Sequence, residues 1–232
     1  MSRIKFAARI ALWRATFSLC CVLPLSCFFL GAWYPYPYSQ LAGGTQLLST
    51  NVALVVFLGG ILALVTVDSK KNDVELRREH AVIVLLQLTA FIYGTWAAAY
   101  ARPVLIGFEG DRFRLVTRAD IDDKALAASQ HRLSWFGPKP IGVRLLSSND
   151  PGFKESVLLA VEGVHPSFRP ERWLPYDEVV SAAVLAARPL RRLATRYPDF
   201  GGAIDGLTLK ELAADPSTLY LPLIGGSGSR DW

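Results

Sequence analysis

The chain has 232 residues, is 51% hydrophobic with mean hydropathy +0.27, and carries a formal charge of +5 with a pI near 9.2. That charge does not make it a nucleic-acid binder: residues 1–100 hold eight Lys/Arg against four Asp/Glu, and residues 101–232 hold 17 against 16. The polar half is therefore near neutral, a poor match for phosphates, and most of the basic excess sits in the apolar half.

Crossing a hydrocarbon core of about 30 Å takes about 20 mostly apolar residues in a helix. Three uncharged stretches reach that length: 15–34 (ATFSLCCVLPLSCFFLGAWY), 47–67 (LLSTNVALVVFLGGILALVTV) and 81–101 (AVIVLLQLTAFIYGTWAAAYA). They are apolar on every face, which a surface helix of a soluble protein is not. The expected organisation is an N-terminal three-helix transmembrane bundle over 1–101, followed by a small α+β periplasmic domain over 102–232.

Arg3, Lys5, Arg9 and Arg14 precede the first span, and Lys70, Lys71, Arg77 and Arg78 lie in the loop 68–80, while 35–46 is uncharged. Basic flanks stay in the cytoplasm, so the N-terminus and the loop 68–80 face inward and everything after residue 101 faces outward. In a bacterium this is a multi-pass inner-membrane protein with its C-terminal domain in the periplasm. A cleaved signal peptide is the rival reading of the first span. Its apolar stretch is long for that, no small-x-small site follows it, and the "LPLSC" ending at Cys27 has Pro24 where a lipoprotein site takes an aliphatic residue.

At the outer end of the first span, Trp33, Tyr34, Tyr36 and Tyr38 stand among Pro35 and Pro37. Rings with an apolar body and a polar edge suit the headgroup level, and proline stops the helix. Trp96 and Tyr100 form the matching belt on the third span. Cys20, Cys21 and Cys27 share one helix, cannot readily bridge one another, and read as packing residues.

Ala90, Gly94 and Ala98 recur every four residues on the third span, beside Gln87, and Gly59 with Ala63 does the same on the second. Such rows let helices approach closely, and a glutamine can hydrogen-bond across the interface. They serve packing within the three helices, the plainer reading, or an interface for another protein.

Beyond the spans, 102–117 (RPVLIGFEGDRFRLVT) reads as a β-hairpin turning at "EGD". A helix is expected at 119–129 with Asp120, Asp122 and Asp123 in its first turn, where negative charge suits the helix dipole. A strand follows at 141–147, and 153–162 reads as helix or strand, with helix preferred. Another helix runs from Asp177 to Ala187, breaks at Pro189, and resumes to Tyr197. "DGLTLKELAA" gives a last helix and "STLYLPLI" a last strand. His80, His131 and His165 are far apart with no metal-ligand spacing, and no phosphate loop, nucleophile elbow or dinucleotide fingerprint occurs. No cofactor, metal or catalytic residue is expected, and composition and spacing stop at a three-span membrane protein with a small periplasmic domain.

The order of features resembles the TfpX/TfpZ family of type IV pilin accessory proteins. It runs from "WYP" after the first span, through a basic loop and the Gln-containing third span into "RPV" and "FEGDRFRLV", to "RPERWLPYDE", "ARPLRRLATRYP" and "LYLPLIG…RDW". The resemblance covers almost the whole chain. It implies an inner-membrane assembly factor, not an enzyme, that assists a cognate type IV major pilin, stabilising it, aiding its assembly or modulating pilus dynamics, together with the lipid bilayer and other pilus assembly proteins. On this reading Gly94, Ala90, Ala98 and Gln87 receive the pilin's apolar helix, and Arg112 and Phe113 in the hairpin contact its head. Members of the family continue past the position of "RDW" into another strand, which implies either a shortened member or a truncated reading frame here. Two other classes remain: a component of a pilin-glycosylating system, with Glu109 and Asp111 as its only acidic hints, and a membrane-anchored periplasmic sensor.

Overall fold

The computed structural model describes residues 3–66, 73–196, 203–204 and 207–225. Its elements divide into two compact units. The first holds 1–103 together with 117–119 and 135–137, and the second holds 104–116, 120–134 and 138–232.

The first unit is helical. Helix α1 spans Arg3–Trp33, a one-turn α2 spans Tyr38–Leu41, α3 spans Gly44–Thr66 and α4 spans Asp73–Tyr100. Helix α3 packs against both α1 and α4. The helices run past the expected spans. Nothing in 3–14 breaks a helix, so α1 starts well ahead of residue 15. Helix α4 starts at Asp73, so 73–80 of the expected loop is helix, with Glu75 near its positive end. Lys70, Lys71 and the rest of 67–72 lie outside the described residues. Among the described residues, Ala11–Trp33 and Arg77–Tyr100 are long and apolar enough to cross a bilayer, and Gly44–Gly60 is a shorter apolar stretch. Helix α1 stops at Trp33, where Pro35 and a cis Tyr36–Pro37 bond follow, and Gly43 at φ +66° turns the chain into α3.

The second unit is α+β. Its elements in order are β1 (Pro103–Phe108), β2 (Phe113–Thr117), α5 (Asp123–Ala128), β3 (Lys139–Val143), α6 (Phe153–Val161), β4 (Trp173–Leu174), α7 (Val180–Ala186), β5 (Arg188–Pro189) and α8 (Leu190–Arg196). After these come β6 (Ala203–Ile204), β7 (Leu207–Thr208), α9 (Leu209–Ala214), β8 (Leu219–Tyr220) and β9 (Leu223–Ile224). A five-stranded mixed sheet runs β4-β3-β1-β2-β9. Strand β1 lies parallel to β3 with Gly107 opposite Ile141, β2 lies parallel to β9, and β3 lies antiparallel to β4. The four-residue connection of β1 to β2 makes the predicted hairpin. Strand β1 is central and buried at five of six positions. Its Val104 and Leu105 meet Val116, Ile121, Phe168 and Trp173 in the core.

Several boundaries shift for local reasons. The expected helix 119–129 is a 3-10 turn at Arg118–Asp120 followed by α5, because Asp122 caps α5 by accepting the Ala125 N–H at 2.9 Å. The strand expected at 141–147 sits at 139–143, where β1 and β4 give it partners. The helix expected from Asp177 begins as a 3-10 turn at Tyr176–Glu178, and α7 starts at Val180. Tyr197 lies outside the described residues. The single last strand is two, because Leu221 and Pro222 part β8, paired with β5, from β9 on the main sheet. Residues 226–232, with the "RDW" end, are likewise outside the described residues.

Candidate functional site

Inside the helical unit, polar groups and glycines interlock. Gln87 on α4 donates from its amide nitrogen to the Ser18 hydroxyl of α1 at 2.9 Å and to the Val55 carbonyl of α3 at 3.0 Å. It lies in the hollow left by Gly59, where a Cβ would overlap its amide. The reverse arrangement holds about two turns further along α4. There Asn51 of α3 fills the hollow at Gly94, and a side chain on Gly94 would collide with it. Close packing at these glycines and the Gln87 hydrogen bonds join α3 to α1 and α4.

A third joint lies at the end of the helices. Tyr34 is buried against Leu48 and Ala98, its ring covers Gly44, and its hydroxyl donates to the Ala98 carbonyl at 2.7 Å. That carbonyl belongs to the last turn of α4, which leaves its final carbonyls without intrahelical donors.

Gly94, Ala98 and Gln87, read from sequence as candidates to meet a pilin, thus stand in contacts within the unit, and Ala90 is half-buried. Tyr34, read as a headgroup-level ring, is 2% exposed. Tyr36 is exposed, Tyr38 half-buried, and Trp33 stacks on Phe29 at 4.5 Å between centroids. Trp96 and Tyr100 are exposed and stacked on each other at 5.7 Å, with Tyr93 next along the same face. Cys20, Cys21 and Cys27 are free and exposed rather than packed.

One open groove of about 370 Å³ lies between α1 and α3. Leu19, Leu23, Leu30, Leu48 and Val52 make its walls, and the buried Ser26 and the exposed Cys27 share them. Pro24, which has no backbone N–H to give α1, lies between the groove residues Leu23 and Ser26.

In the second unit, Glu109 and Arg114 form an ion pair at 2.9 Å with side chains only 8% and 11% exposed. The other carboxylate oxygen of Glu109 accepts the Ser167 N–H at 3.2 Å. Asp111 and Arg112 pair at 2.7 Å nearer the solvent, and that bond from Arg112 holds the Asp111 carboxyl below its ordinary range. Phe113 packs between Phe108 and Tyr176, and its N–H donates to the Pro222 carbonyl at 2.9 Å. Arg112 is the accessible member of the predicted pair, and Phe113 belongs to the fold. Burial first, and then the Arg114 charge, push His165 below its ordinary value, against smaller opposing effects of Glu109 and Asp120. No group of three or more His, Cys, Asp or Glu poised for a metal occurs among the described residues.

Curated relatives exist. The chain is 30% identical over 191 residues to a fimbrial assembly protein of serogroup E1 from Dichelobacter nodosus, covering 81% of this chain and 74% of that one. The serogroup I protein of the same organism matches with the same identity and coverage. A third, the fimbrial assembly protein of serogroups C1 and C2, is 32% identical over 119 residues, 51% of this chain and 91% of that one. No family model matches the chain, and no solved structure does.

Proposed function

The chain belongs to the family of these fimbrial assembly proteins, and from that membership we propose that it is an inner-membrane accessory protein for a type IV pilin. Within that class, the order of its motifs supports the TfpX/TfpZ type. The observation that carries the proposal is the similarity to fimbrial assembly proteins across four-fifths of the chain. The proposed topology has three crossings near 15–34, 47–67 and 81–101, a cytoplasmic N-terminus and a periplasmic C-terminal domain. It draws support from two apolar helices of spanning length, the packing of α3 against both, and the basic flanks. The role is binding rather than catalysis.

A pilin held in the membrane offers an apolar helix in lipid and a head outside it. A partner touching both gains a high effective concentration for the second contact, so each contact is weak enough to be released at assembly. Because Gly94, Ala98 and Gln87 are used within the bundle, the α1–α3 groove is the better seat for the pilin helix. The open Arg112 end of the β1–β2 hairpin is the seat for the head. Deleting the gene and measuring pilin level, surface pili and twitching tests the role; normal values for all three overturn it. Co-purification of pilin with Leu23→Trp and Arg112→Glu variants tests the seats, and undiminished recovery with both removes them.

A further inference from the structure

Trp135 and Phe136 are adjacent in sequence and exposed by 65% and 73%. They lie in the irregular segment between α5 and β3, yet residues 135–137 pack with the helical unit. Two fastenings hold them there. The Gly137 N–H donates to the Ala32 carbonyl at 3.1 Å, taking up one of the unpaired carbonyls in the last turn of α1. Gly137 has φ +60°, and a Cβ there would come within 3.3 Å of Pro35, so this close approach calls for glycine. On the other side, the guanidinium of Arg102 lies 4.7 Å from the Trp135 ring centroid and donates to the Ala99 carbonyl at 2.8 Å, in the last turn of α4. The Tyr34–Ala98 hydrogen bond sets those two helix ends side by side.

The segment is thus pinned to the ends of α1 and α4, the level at which the chain leaves the hydrocarbon on the topology proposed above. Tyr36, Trp96 and Tyr100 are exposed around those same ends. Two large rings projecting into water are unfavourable, whereas the headgroup layer receives aromatic rings well. We propose that Trp135 and Phe136 form a membrane-surface anchor that inserts into the headgroup layer of the outer leaflet, with the lipid surface as its partner. This anchor rests on the spans of the proposed function but not on pilin. It differs from the aromatic belt of the spans because it comes from sequence more than 30 residues after the last of them.

The test uses the full chain with Cys20, Cys21 and Cys27 replaced by Ala, reconstituted in phosphatidylcholine–phosphatidylglycerol vesicles without pilin. A bimane label is placed at Phe136→Cys, at Ile92→Cys on the exposed face of α4, or at Val161→Cys on the exposed end of α6. Lipids carry a nitroxide either near the headgroup or at mid-chain. Expected is quenching at 136 by the shallow nitroxide, at least about twofold over that at 161, and deep quenching at 92. If 92 is quenched and 136 behaves like 161, the anchor is overturned and the spans stand. If 92 is not quenched either, spans and anchor fall together.

Discussion

Tyr34 donates its hydroxyl to the Ala98 carbonyl at 2.7 Å, joining the end of α1 to the last turn of α4 across 64 residues of sequence. Tyr34→Phe keeps the ring over Gly44 and removes only that bond. The expected loss is about 1 kcal/mol of helical-unit stability, because a lone hydrogen bond in a protein contributes that order. Tyr34→Ala, which also empties the space between Leu48 and Ala98, costs about 3 kcal/mol. Unfolding of the purified chain in mild detergent, titrated with a denaturing detergent, reads both. Equal behaviour of the two variants contradicts this division of labour.

The two amide-into-glycine joints predict an ordering. Gly94→Leu and Gly59→Leu drive a side chain into Asn51 and Gln87 respectively, and each is expected to cost about 1–3 kcal/mol. Ala90→Leu, at a half-buried position of the same row, costs less. Detergent-resistant folding and expression level in the membrane give the comparison. If all three tolerate leucine equally, the joints are not what holds α3 to α4.

In the second unit, Glu109→Gln keeps an acceptor for the Ser167 N–H but leaves the Arg114 guanidinium buried without its counter-charge. Removing one partner of a buried pair costs about 3 kcal/mol or more. Arg112→Glu changes an exposed pair and costs under about 1 kcal/mol. Thermal unfolding of the full chain separates them, and on this account only the Arg112 variant stays folded well enough to report on pilin binding.

His165 binds its proton less readily in the folded chain than in the unfolded one, for reasons of burial first and then Arg114. Between pH 7.5 and about 5.5 the unfolded state therefore gains protons that the folded state resists, and stability falls as pH falls through the ordinary histidine value near 6.5. His165→Gln removes the edge contact with Phe168, which costs stability at every pH, but it flattens this slope. An unchanged slope in that variant assigns the pH dependence elsewhere.

What the sequence told well was what depends on composition along the chain. The apolar stretches of α1 and α4, the stop at Pro35 and the hairpin around Gly110 each follow from residue type and spacing. What it told poorly was direction around an axis. Tyr34 and Tyr36 are alike in composition and depth, yet one is buried in the bundle and the other is 80% exposed. Likewise, the four-residue row of Ala90, Gly94 and Ala98 announces a close helix contact without naming the helix it meets. Asn51 was the overlooked signal, since a lone amide in an apolar run marks the face turned toward another helix. Residues 163–178 were opaque for another reason. Three short 3-10 turns and the two-residue β4 are held by long-range contacts, such as the Ser167 N–H on the Glu109 carboxylate at 3.2 Å, and these have no periodicity to read.

The central claim is that the chain crosses the inner bilayer three times and delivers its α+β unit to the side where pilin heads stand. Alkaline phosphatase, active only outside the cytoplasm, and green fluorescent protein, fluorescent only within it, can each be inserted after Ser148 in the exposed turn ahead of α6. The account predicts an active phosphatase and a dark fluorescent protein. Fluorescence with an inactive phosphatase contradicts it, because the unit would then lie across the membrane from any pilin head.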